Sequence, residues 1–160
     1  MHEFLGVLFR WLHIMPACLS IGGVFFMRFV LPVGLTVLEP PQRTAVFLRC
    51  RRVFKFVIHV SILFFLISGT YNYIANRAIY HQVKPASHIL FGIHALLAVM
   101  VFTISLVLLA GKEPPAPHRQ WMLLNFVLLM LVVAAASTLK WVRDHAPATP
   151  VPAVAEGTMQ

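Results

Sequence analysis

The chain has 160 residues, of which 59% are hydrophobic and 11% charged, and its mean hydropathy is +0.82. A soluble domain carries about 25% charged residues, and a globule this small keeps too much surface wet to hide so much apolar side chain. As readings of the whole chain, an ordinary soluble enzyme and a disordered tail are both excluded, and the net charge of +8, from 13 Lys and Arg against 5 Asp and Glu, has to be read at a bilayer.

In chain order, four apolar runs are long enough to cross about 30 Å of hydrocarbon as helices of roughly 20 residues. They cover residues 11–31, 53–74, 89–110 and 121–139. A lone segment in lipid satisfies its backbone hydrogen bonds only as a helix, so the expectation is an all-α integral membrane four-helix bundle over residues 1–145. The first run lacks a basic amino-terminal region and continues past Arg28 to Leu31, which fits a retained helix better than a cleaved leader. Glu39-Pro40-Pro41 closes the first helix, Lys84-Pro85-Ala86-Ser87 introduces the third, and Gly111-Lys112-Glu113-Pro114-Pro115 separates the third from the fourth. Trp11, Tyr71, Tyr73, Trp121 and Trp141 fall near span ends, where amphipathic rings favour the interface. Residues 146–160 are rich in Pro, Ala and Thr, without periodicity, and read as a disordered tail.

Four spans place both termini on one side, with Arg10, Arg77, Lys84, Lys140 and Arg143. The other side carries Arg43, Arg49, Arg51, Arg52, Lys55, Lys112 and Arg119. The positive-inside rule then puts the connecting segments in the cytoplasm and both termini outside it. Arg49, Arg51 and Arg52 directly precede the second span and are expected to meet anionic lipid headgroups rather than nucleic acid. Cys18 lies in an apolar run and Cys50 in a basic stretch, a poor pairing for a disulfide.

Ionisable residues at membrane depth are costly and mark candidate sites. By a rise of about 1.5 Å per residue, His13 lies about 3–5 Å and His94 about 7–8 Å below the face that carries the termini. Helices one and three run the same way, so these imidazoles sit at similar heights. His59 enters from the opposite face, and a hydrogen bond to Ser61 or Asn125 is its expected role. At about 100° per residue, Ala17, Ser20, Val24, Met27 and Leu31 share the His13 face, bordered by Gly23. Ser87, Phe91, Ala98, Val101 and Ser105 share the His94 face by the same rotation. Two imidazoles from facing helices, small residues such as Ser20 and Gly23 beside them and an aromatic such as Phe91 at the edge are what a haem requires. His88 is placed to meet a propionate or the headgroups. Arg28 and Lys55 are expected to snorkel.

Leu12-His13-Ile14 followed by Ile21-Gly22-Gly23-Val24-Phe25-Phe26 resembles the first-helix signature of the CopD-like membrane proteins, a group linked to copper handling. The same opening is similar to HemJ-type protoporphyrinogen IX oxidases, four-helix membrane proteins thought to hold haem b through an early His and a third-helix Lys. Ser87 to His94 also resembles a set of bacterial tetraspan proteins in which a Lys commonly stands where His94 does. Ser20 occupies a place where both named families usually show Trp. The resemblance implies a bacterial inner-membrane protein, and His94 in place of Lys would make its site bis-histidine.

Three functions follow as expectations. The first is a b-type haem redox protein ligated by His13 and His94, exchanging electrons with a quinol or oxidising a porphyrinogen. The second is copper transport or tolerance, with Met15, Cys18 and Met27 beside His13 as soft ligands, although Cys18 points about 140° away from His13. The third is a cofactor-free accessory subunit whose histidines are interhelical hydrogen bonds. A homo-oligomer stays open in all three.

Overall fold

The computed structural model describes residues 2–82, 86–110 and 118–145. Helix α1 starts as an α-helix over His2–Phe25, widens to a π-turn at Phe26–Val30, and ends through an α-turn at Leu31–Gly34 and a 3-10 turn at Leu35–Val37. Helix α2 is Pro40–Gln82, α3 is Ala86–Leu109 and α4 is His118–Asp144. All four are long and apolar enough to cross a membrane, and no strand occurs among the described residues. The chain is an all-α, multi-pass four-helix bundle. The expected tail at 146–160 and the break at 111–115 lie outside the described residues.

The π-turn has a local cause. Pro32 has no N–H to give the carbonyl four residues back, and the Leu31 N–H reaches five residues back, to the Phe26 carbonyl. The wider turn holds Met27 in the core and leaves Arg28 half-buried, its guanidinium 4.9 Å from the centre of the Phe29 ring.

The segment before the second span differs most from the sequence expectation. Only Leu38 and Glu39 separate α1 from α2, and α2 runs for 43 residues, about 65 Å at the α-helical rise. Pro40-Pro41 does end α1, but proline is also favoured in the first turn of a helix, where no N–H is needed. The Glu39 N–H donates to Gln42 Oε1 (3.3 Å), a side-chain-to-backbone cap for that start. Arg43 then reaches back, donating from Nε to the Leu38 carbonyl and from Nη2 to the Thr36 carbonyl (3.0 Å).

Arg51 corrects the expectation of a headgroup contact. It is 5% exposed, and its Nη2 donates to the carbonyls of Leu108 (2.9 Å) and Ala110 (2.8 Å). Helix α3 ends there, and its last carbonyls lack intrahelical donors. A cation at this end also complements the helix dipole. Arg49 and Arg52 are exposed and keep the surface position expected of them.

Helix α1 packs mainly along α2, and α3 along α4. Lighter contacts of α1 with α4 and of α2 with α3 close the bundle, so α1 and α3 stand on a diagonal. The core gathers Val24, Met27, Phe54, Ile58, Val101 and Leu129 in the half of the bundle nearer Arg51. Gly23 serves this packing, because the Phe54 ring of α2 lies on its Cα, where any Cβ would collide. Large apolar side chains on the outside, such as Leu19, Phe56, Leu66 and Leu96, are exposed for lipid contact. Cys18 and Cys50 are both free.

Gly23→Ala is expected to destabilise the bundle by about 1–3 kcal/mol through overpacking. Phe54→Leu in the same chain should recover part of that loss. Thermal unfolding in detergent reads both, and strictly additive losses would show that Gly23 and Phe54 do not share this contact.

Candidate functional site

His13 and His94 belong to the half of the bundle away from the packed core. His13 is half-buried on α1, and its Nδ1 lies 2.9 Å from Ser68 Oγ on α2. Ser68 is fully buried, and its hydroxyl hydrogen goes to the Phe64 carbonyl (2.5 Å). The serine oxygen is therefore the acceptor, and His13 must donate from Nδ1. His94, half-buried on α3, has Nδ1 3.3 Å from the Val132 carbonyl of α4. A carbonyl only accepts, so this imidazole also carries its hydrogen on Nδ1.

Both rings are thus fixed in the same tautomer. Each neutral ring keeps a lone pair on Nε2, and neither Nε2 has a hydrogen bond among the described residues. Each is held by a different neighbour, α2 for His13 and α4 for His94, while the two rings come from the diagonal pair.

The surroundings of His13 are apolar and small. The Phe65 ring meets it edge-on at 5.2 Å between centroids. Gly69 faces the ring, and a Cβ there would sit 3.7 Å from His13 Cε1, in ordinary van der Waals contact. Beyond it, Phe9 stacks on Tyr71 at 3.9 Å, so Tyr71 spends its ring on an interhelical contact.

The other expected site residues fall in different places. Ser20 is buried and lines a small apolar cavity with Ile62, Phe65, Val101 and Ser105. Gly23 is occupied by Phe54. Phe91 stacks on Tyr73 of α2, with centroids 4.4 Å apart. His88 is half-buried near the start of α3, six residues before His94.

His59 is exposed and turns its Nδ1 to the Lys55 carbonyl of its own helix (2.7 Å). Ser61 and Asn125 do not serve it. Asn125 is 2% exposed and donates from Nδ2 to Ser105 Oγ (2.9 Å), joining α4 to α3. Nor does the expected copper set form, because Met15 and Cys18 are exposed while Met27 is buried. Among the described residues, no group of three or more His, Cys, Asp or Glu could hold a metal ion.

Sequence reasoning passed over Ser68, Gly69 and the Val132 carbonyl. Ser68-Gly69 interrupts an otherwise apolar run, which was a usable signal. The carbonyl left none, since every residue has one.

The chain matches no protein-family model, no curated protein and no solved structure.

Ser68→Ala removes the acceptor that fixes His13. A loss of about 0.6–1.5 kcal/mol in stability is expected, as for other hydrogen bonds between membrane helices. Nitrogen NMR of the imidazoles should show His13 passing from one tautomer to a mixture while His94 stays as it is. An unchanged His13 signal would mean that the serine does not orient the ring.

Proposed function

We propose that the bundle is an intramembrane b-type haem protein with His13 and His94 as axial ligands, passing single electrons to or from a lipid-soluble partner. The observation that supports this reading most is the state of the two imidazoles. Both are Nδ1–H tautomers anchored to a neighbouring helix, and both retain an Nε2 lone pair without a hydrogen bond among the described residues. Anchoring the far nitrogen to a hydroxyl or carbonyl is the usual support of a metal-bound histidine, since it fixes the ring and makes the free nitrogen more basic.

The donor set fits the group. When bound, haem supplies a one-electron couple, and two imidazole ligands leave no axial position open for oxygen chemistry. The chain's own contribution is orientation and exclusion of water. Ser68 and the Val132 carbonyl hold the rings, and Phe65 packs edge-on against His13 as an apolar neighbour.

A quinol gives up two electrons, one at a time, with two protons, and oxidation of a porphyrinogen in the HemJ manner likewise releases protons. The spans contain no carboxylate to receive them, so their release needs His88, His94 or water. In this reading the chain sits in a bacterial cytoplasmic membrane with both termini outside the cytoplasm, and Arg49 and Arg52 meet anionic headgroups.

A second reading is favoured by the same hydrogen bonds. His13 to Ser68 joins α1 to α2, and His94 to Val132 joins α3 to α4. These are the interhelical links that a cofactor-free accessory subunit would use.

The spectrum of detergent-purified protein separates the two. A Soret band, with sharp alpha and beta bands on dithionite reduction, is expected. His13→Ala and His94→Ala should each abolish or shift these bands, and His59→Ala should leave them intact. Colourless protein from cells supplied with haem precursor would leave the accessory reading in possession.

A further inference from the structure

The half of the bundle away from His13 and His94 contains a polar pair that neither reading uses. Asn125 of α4 is 2% exposed, and its Nδ2 donates to Ser105 Oγ of α3 (2.9 Å). Its Oδ1 is buried with no hydrogen-bond partner. Turning the amide over does not cure this. Ser105 would then donate to Oδ1, and Nδ2 would be the atom left over, because the amide carries its acceptor and its donors on different atoms. Ser105 is itself buried, and accepting from Asn125 leaves its hydroxyl hydrogen available to donate.

Both side chains line a small cavity with room for about one water molecule. The rest of its wall is apolar, as at Val24 and Phe54, except for Arg51 of α2 and His118 of α4. The two ring nitrogens of His118 are buried, and neither has a hydrogen-bond partner. The Phe47 ring meets that imidazole edge-on at 5.9 Å, which supplies no polar contact. Buried polar atoms in this condition call for an explanation.

Size and chemistry select the occupant. A cation is repelled by the Arg51 guanidinium and finds no carboxylate on the wall. An anion only accepts, so it cannot serve the Oδ1 acceptor. Water both donates and accepts, and serves the amide whichever way that group is turned. We infer that the Asn125–Ser105 pair holds one buried water molecule, which donates to Asn125 Oδ1 and accepts from the Ser105 hydroxyl. His118 and Arg51 on the same wall offer it further polar contacts, within the two to four that a buried water makes. Asn125, Ser105 and the water then form one satisfied polar junction between α3 and α4. A network of this kind helps to fix which helices pair, where apolar side chains facing lipid do not. The site is separate from His13 and His94 and does not depend on the haem reading.

The test uses the isotopically labelled full chain in lipid bilayers and solid-state NMR, with magnetisation transferred from water to protein. At short mixing times the side-chain carbons of Asn125 and Ser105 should receive it. Leu129 in the core and Leu96 on the lipid face should not. That readout is made on the wild type and needs no variant to fold. The transfer should persist in the His13→Ala/His94→Ala double variant. Asn125→Leu removes both amide atoms and keeps the branched outline of the side chain, so it should abolish the transfer at Ser105. No transfer at Asn125 and Ser105 in the wild type means a dry cavity and overturns the proposal. Equal transfer at Leu129 also overturns it, since that describes a solvent-filled crevice rather than one bound molecule. Transfer at Ser105 that survives Asn125→Leu, or that is lost with His13 and His94, does the same. A missing Soret band has no bearing on any of these outcomes.

Discussion

Polar groups inside this bundle can find partners only within the protein, because lipid offers none. That constraint accounts for the internal hydrogen bonds more economically than any functional assignment. Asn125 is joined to Ser105, His13 to Ser68, His94 to the Val132 carbonyl, and Arg51 to the carbonyls that end α3. Three of these connect different helices within the two tightly packed pairs, and the fourth lets α2 close the end of α3. The apolar exterior supplies no driving force for assembly in lipid, so these bonds and the close packing of Gly23 under Phe54 carry much of the specificity.

The same constraint changes the meaning of the basic residues. Helices α1 and α3 run in the same direction, and both present carbonyl-rich ends where α2 begins. Arg43 covers the carbonyls at the end of α1 and Arg51 those at the end of α3. A cluster that reads in sequence as a headgroup anchor is therefore divided in work. Some of its charge neutralises helix ends, and the exposed Arg49 and Arg52 remain for the membrane surface.

The division between legible and illegible features follows from range. Helical periodicity is local, so the buried face of α1, with Ser20, Val24, Met27 and Leu31, could be read directly, as could Val101 and Ser105 on α3. Hydropathy gave the number of helices. It could not give the length of α2, because Pro40-Pro41 is a breaker to the helix before it and a starter to the one after. Long-range pairing was the larger gap. Nothing local says that Ser68 meets a residue 55 positions away, or that Asn125 turns to Ser105 and leaves His59 to its own backbone.

The two ends of the bundle are built on different principles, and this bears on what each can hold. At the His13 end, the polar atoms are paired on one side of each ring, which orients the rings without using their second nitrogens. That is preorganisation, and it lowers the cost of binding whatever takes those lone pairs. At the His118 end, the ring nitrogens are buried without partners among the described residues, beside a packed apolar core. An imidazole left in that condition destabilises the fold by roughly 1–3 kcal/mol, so an occupant that satisfied it would stabilise the bundle as well as bind. The first end carries no such penalty as it stands. The second carries a penalty until a partner such as a buried water satisfies it.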